Sequence, residues 1–212
     1  MKNKMLKSGG IALISGGILF FILEFITSLF WTNSTYNYLR NYVSDLGVPV
    51  PSMTNGQSFV SPMYGLMNFN FVLLASLILI GSIFFYFSLN IKRKNTYLVL
   101  TILTSLGLLM IASFPGYKWL GIAGHQIGAM LTLFSAAINA IITSSQIGRK
   151  FNSRLYQVVT IILGIIALIG IIITLVQNYP ASITGLIERI AIYPVILMQI
   201  VTGSLMLYIA YR

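Results

Sequence analysis

A chain of 212 residues that is 57% hydrophobic and 8% charged has too little polar surface to form a soluble domain. Its net charge of +10 comes from basic residues in short clusters between apolar runs, the pattern of membrane loops rather than of a nucleic-acid surface. With no cysteine, one histidine and three acidic residues, it offers no disulfide, no thiolate chemistry and no dedicated metal site, and no cofactor is expected.

Six apolar runs, each long enough to cross a hydrocarbon core of ~30 Å, fall at about 8–30, 62–91, 96–114, 121–147, 155–177 and 185–210. They predict an all-α fold: one polytopic bundle of six transmembrane helices, with residues 1–212 as a single domain. The first run follows Lys2, Lys4 and Lys7 and imitates a secretory signal. It lacks a small-x-small cleavage site near its end, so it reads as a retained helix. Between runs the charge alternates. Ten of the thirteen basic residues, including Lys92, Arg93, Lys94, Arg149, Lys150, Arg154 and Arg212, fall on one side. Arg40, Lys118 and Arg189 fall on the other. The positive-inside rule then puts both termini in the cytoplasm and the protein in the cell membrane. Glu24, Asp45, His125 and Glu188 all gather at the outer side.

The first outer loop, residues 31–61, is the one long connection. Ser34 to Gly47 reads as a short interfacial helix, capped by Ser34 and ended by Gly47. Val48 to Ser52 carries two prolines and must be extended. A loop of this length in a small protein reads as a lid or binding element.

Polar and small residues recur at helical spacing inside the spans. The fourth span carries His125, Gly128, Thr132, Ala136, Asn139 and Thr143 on one face. The first carries Gly10, Gly17 and Glu24, and the second Tyr64, Asn68, Ala75, Ser82 and Tyr86. The sixth carries Glu188, Ala191, Val195, Gln199 and Thr202. Much of this is what close helix packing in lipid uses anyway. A carboxylate inside a span must instead be protonated, paired or wet, which singles out Glu24. Glu188 and Arg189, neighbours on one helix, point about 100° apart. Each therefore needs a partner from another segment: Asp45 or Glu24 for Arg189, Arg40 or His125 for Glu188.

The segments Asn41-Tyr-Val-Ser-Asp-Leu-Gly47, Phe114-Pro115, His125, Gly185-Leu-Ile-Glu-Arg189 and Tyr193-Pro194 share an order and spacing. In these the chain resembles, over about residues 8–210, the bacterial and archaeal membrane proteins grouped as DUF998. The resemblance implies six membrane helices with these polar positions at the outer mouth. It implies no activity, because that family is defined by sequence and not by a reaction.

The expected function is an integral membrane protein whose outward-facing polar pocket binds, and in one reading acts on, a lipid or other amphipathic ligand. Catalysis would use His125 as acid or base with Glu188 or Asp45 as its partner. Arg40, Arg189, Glu24 and Asn68 would bind the ligand, the arginines as anion clamps. The alternatives are a small transporter, sensor or immunity-type protein, or a structural subunit that does no chemistry. The expected partners are membrane lipids, and a second copy of the chain or another membrane protein; nucleic acid is not among them.

Overall fold

The computed structural model describes residues 2–54, 56–115 and 119–212; Lys118, one of the three outer basic residues of the charge pattern, lies outside them. Six helices account for most of the chain: α1 (Lys2–Leu29), α2 (Tyr64–Ser88), α3 (Lys94–Ser113), α4 (Trp119–Lys150), α5 (Arg154–Val176) and α6 (Thr184–Tyr211). All six are long and apolar enough to cross a membrane. The first begins several residues earlier than the apolar run does, so Lys4 and Lys7 ride on its first turns.

Each helix packs on its neighbours in sequence, and α1 closes the ring against α6. Close approach depends on small residues where the backbones cross. A Cβ on Gly10 would meet the Gly203 carbonyl at 2.8 Å, and one on Gly203 would meet the Gly10 carbonyl at 2.6 Å. The α5–α6 crossing is as tight: a Cβ on Gly170 would come within 2.5 Å of the Ala191 amide nitrogen. For these glycines the packing role alone accounts for the residue.

The connection from α1 to α2 does not form the helix expected over 34–47. Only Ser44–Gly47 winds into a single 3-10 turn. Two local contacts divert the backbone: the Asn41 side chain accepts from the Asn37 N–H at 2.8 Å, and the Asn37 side chain accepts from the Leu39 N–H at 2.9 Å. The carbonyls of residues 38–41 are then taken by α6. Leu186 N–H donates to Leu39, Thr184 Oγ1 to Arg40, and the Arg189 guanidinium to Tyr38 and Asn41. A segment whose carbonyls serve another helix's first turn cannot close its own. Nor does Ser34 cap it, since its hydroxyl accepts instead from the Trp31 indole at 2.9 Å.

Past the extended Val48 the chain forms a small antiparallel hairpin, β1 (Ser52–Thr54) with β2 (Gln57–Phe59), in register Ser52 to Phe59. A bridge from Thr32 to Val60 closes its base, and the Trp31 ring stacks on Phe59 at 4.4 Å. Val43, Leu46, Val48, Trp31 and Phe59 thereby join Phe20, Met67 and Phe71 in one buried cluster. The connection is part of the core, not a strand of chain above it. Ser61 and Asn68 anchor it further, donating to the Leu46 and Gly47 carbonyls at 2.7 and 2.9 Å.

Candidate functional site

At the end of the ring that bears this connection, α1 delivers Glu24 and α6 delivers Arg189 to the same buried point. Their side chains meet at 2.9 Å, with Arg189 5% and Glu24 1% exposed. Every nitrogen of the guanidinium is engaged. Nε donates to the Tyr193 hydroxyl at 3.0 Å, and Nη1 to the Tyr38, Asn41 and Gly185 carbonyls at 2.7, 2.9 and 3.0 Å. Nη2 donates to Glu24 and to the Tyr36 hydroxyl, the latter at 2.6 Å. Tyr193 also donates to both Glu24 oxygens at 3.0 Å. The Tyr38 ring lies 4.6 Å from the guanidinium carbon, a cation–π contact. Burial pushes the Tyr36 phenol well above its ordinary value, against the pull of Arg189, so it stays neutral and able to hydrogen-bond. Glu24 is the partner that pairs with Arg189, and the result is a dry, fully satisfied network binding α1, α6 and the connection.

One residue earlier on α6, Glu188 points elsewhere. Its carboxylate accepts from the backbone N–H groups of Val43 and, at 3.4 Å, Ser44, where the 3-10 turn begins. Among the described residues no ion pair joins it to Arg40 or His125, the partners expected from the sequence. The Asp45 carboxylate accepts from the Tyr42 N–H at 3.3 Å in the same turn.

Glu188 also faces a cavity of about 1030 Å³ bounded by the connection, α4, α5 and α6, the size of a ligand pocket. One stretch of its wall is polar, with Tyr42, Asp45, His125, Tyr179 and Glu188. The rest is mostly apolar, with Ile127 and Leu131 on α4, Ile171 and Leu175 on α5, and Ile192 on α6, interrupted by polar side chains such as Gln126, Thr174 and Gln177. Ile127 is 59% exposed and Leu175 52%, so between α4 and α5 the cavity opens sideways, across the apolar flank of the bundle. The Tyr42 phenol is pushed up to about 12 by burial first, then by Tyr179, to which it hydrogen-bonds, and by the Glu188 and Asp45 charges. Both carboxylates and both tyrosines line this one cavity.

His125 is half-buried in this wall, and its Nδ1 lies 3.1 Å from the Phe114 carbonyl at the end of α3. For that contact to be a hydrogen bond, Nδ1 must carry the proton. No hydrogen bond joins His125 to a carboxylate among the described residues. Arg40 and Asn68 lie away from the cavity: Arg40 gives its carbonyl to Thr184, and Asn68 pins Gly47. No Lys or Arg lines the cavity among the described residues. Nor does any group of three His, Asp or Glu there stand close enough to hold a metal ion.

Deeper in the ring, α3 to α6 enclose a second space of about 30 Å³ lined largely by hydroxyls and amides, among them Thr101, Asn139, Thr160 and Thr202. This is room for on the order of one or two waters. Asn139 donates to the Tyr97 carbonyl and the Thr101 hydroxyl, both at 3.1 Å. The α4 stripe read from the sequence runs through both spaces: His125 and Thr132 line the cavity, Ala136, Asn139 and Thr143 the deeper chamber. On α6, Glu188 and Ala191 line the first, Gln199 and Thr202 the second. In the second-span stripe Ala75 and Ser82 are buried and Asn68 bonds to the Gly47 carbonyl, while Tyr64 is 40% exposed; α2 also buries Asn70, which donates to the Phe20 carbonyl at 3.0 Å.

Tyr179 and the polar residues of α3 and α5 are not among the positions singled out from the sequence. Tyr97, Thr101 and Thr104 do recur at helical spacing, the one signal that could have marked α3.

Six helices of such length and apolarity suggest the class of multi-pass membrane proteins. A family described as "Protein of unknown function (DUF998)" matches residues 14–205, and the chain belongs to that family. Comparison with curated proteins and with solved structures gives no match.

Proposed function

We propose that this protein binds a lipid or lipid-like amphipath in the cavity between α4, α5, α6 and the connection. One observation carries the reading: a space of about 1030 Å³ that is mostly apolar where it opens between α4 and α5 and polar where it meets Tyr42, Asp45, His125 and Glu188. An alkyl chain would enter sideways from the hydrocarbon, and its head group would rest on the polar wall. The bias of basic residues toward the opposite end supports an outer-leaflet mouth, with both termini in the cytoplasm.

Binding is favoured over catalysis by the wall itself. His125 has no carboxylate to orient it among the described residues, and no serine or threonine hydroxyl there is hydrogen-bonded to it as a nucleophile. A pure clamp, in which the polar residues only hold helices together, accounts for Arg189 and Glu24 but not for an open space beside Glu188.

The test is retention of lipid through purification. Wild-type protein extracted in mild detergent should carry a defined lipid at about one per chain by mass spectrometry. Ala129→Trp, which fills the cavity from α4, should remain folded and lose it. Equal retention by both proteins would overturn the proposal. A parallel lipid profile of membranes expressing wild type, His125→Ala or neither protein separates binding from turnover. A species that appears or vanishes only with wild type would make this an enzyme.

A further inference from the structure

The chemistry of the cavity wall goes one step further, on the footing of the proposed amphipath site. The sequence offered Arg40 and Arg189 as clamps for an anionic head group. Arg189 is instead neutralised by Glu24, with each of its nitrogens donating within the dry network. Arg40 does not line the cavity. What the wall does present is the Glu188 carboxylate, with Asp45 near it, and two phenol rings, Tyr42 and Tyr179. We infer that the head group this cavity takes carries a cationic nitrogen, an amine or quaternary ammonium on an alkyl chain, rather than a bare phosphate or carboxylate.

Three features of the geometry support this together. The Glu188 carboxyl is fixed, not waving: the Val43 and Ser44 amides hold its oxygens, so they are ordered before any ligand arrives. The rings stand beside it, and a ring face attracts a cation most strongly where water is excluded. The rise of the Tyr42 phenol to about 12 comes first from burial and then from Tyr179, with Glu188 and Asp45 adding to it, as groups lining the same cavity. An anion entering there would meet carboxyl oxygens and no lysine or arginine among the described lining residues, whereas an ammonium would form charge-assisted hydrogen bonds or cation–π contacts. The apolar opening at Ile127 and Leu175 suits the chain attached to it. Two sources share this chemistry: a free long-chain amine, and a zwitterionic phospholipid head whose phosphate stays outside the wall.

The experiment compares four probes of one chain length, dodecylamine, dodecylphosphocholine, dodecyl phosphate and dodecanol, by native mass spectrometry of the full-length protein at pH 7. Dodecylamine should bind at least about ten-fold tighter than dodecyl phosphate. Binding of dodecylphosphocholine at the level of the amine points to a zwitterionic lipid as source, and binding of the amine alone points to a free amine. Glu188→Gln should narrow the amine-over-alcohol preference several-fold. Because Glu188 also holds the 3-10 turn, Tyr179→Leu is the second variant; it removes a ring and a hydroxyl from the wall and should likewise weaken the amine. The inference is overturned if dodecyl phosphate binds as well as the amine, or if folded Tyr179→Leu and Glu188→Gln keep the full amine preference. If dodecanol and all three charged probes fail to bind, the proposed amphipath site itself falls. If dodecanol binds and the amine is not preferred, only the head-group assignment does.

Discussion

Glu24 and Glu188 stand at the same end of the bundle and have opposite surroundings. Glu24 is sealed against a guanidinium and a phenol, in a network where each polar group has its partner. Glu188 is held by backbone N–H groups on one side and faces open space on the other. The dipeptide Glu188-Arg189 divides these two regions, since successive positions on a helix diverge by about 100°. One residue turns inward to lock α1, the other turns to the cavity. The residue type is the same for the two acids, and the role is set by what the facing segment supplies: a buried cation in one case, a turn of backbone beside a void in the other.

The comparison breaks most visibly at Arg189. Arg189→Met leaves Glu24 buried without a counter-charge and strips donors from the Tyr38 and Asn41 carbonyls. The expected loss is about 3–5 kcal/mol, the scale for removing one partner of a buried pair. In detergent this should read as a large fall in the thermal midpoint and in monodisperse yield. The double change Arg189→Met with Glu24→Leu should recover much of the loss, because no orphan charge remains. A single variant as stable as wild type would mean that the network is not the clamp described.

Much of this end is legible in the amino-acid sequence, and the rest is not for identifiable reasons. The spans follow from long apolar runs, and the cost of a lone carboxylate in a span puts Glu24, beside Asp45, among the partners expected for Arg189; the fold decides for Glu24. The partners of Glu188 could not be read, because they are backbone amides. Every residue from 42 to 47 carries such an amide, and only the fold decides which are left over. The helix expected over 34–47 fails in the same way. Asn37 and Asn41 bond to nearby backbone, and α6 takes the carbonyls that a helix would have used. A cavity is less legible still, since it is a space between α4 and α5 that no local pattern in either helix records.

Glu188→Gln sharpens the comparison with a smaller effect. The amide keeps one acceptor oxygen, so one of the two N–H groups at Val43 and Ser44 loses its partner. About 1–2 kcal/mol should be lost, visible as a modest fall in thermal midpoint with the protein still monodisperse. Exchange of the Val43 and Ser44 amides with deuterium should quicken while the Tyr36 to Asn41 segment, held by Arg189, stays protected. Equal quickening of both segments would show that the two regions are one cooperative unit.

The smallest effect reads out the charge of the cavity wall through Tyr42. Its phenol is raised from 10.0 to about 12, by burial first and then by Tyr179, Glu188 and Asp45. Below pH 10 the phenol is protonated in folded and unfolded chains alike, and its contribution to stability is fully present. As pH climbs from 10 towards 12 the unfolded chain ionises first while the folded one holds its proton, so stability falls. Tyr42→Phe should flatten part of that fall in thermal midpoint, leaving whatever slope other groups cause. Glu188→Gln should move the Tyr42 transition down toward its ordinary value, followed by phenolate absorbance as the difference between chains with and without Tyr42. Glu24→Gln should leave that transition where it is, because the Glu24 charge belongs to the Arg189 network and does not act on Tyr42. A Tyr42 transition that answers to Glu24 as strongly as to Glu188 would erase the division between a sealed carboxylate and an open one, and with it the reason to read the cavity wall as negatively charged.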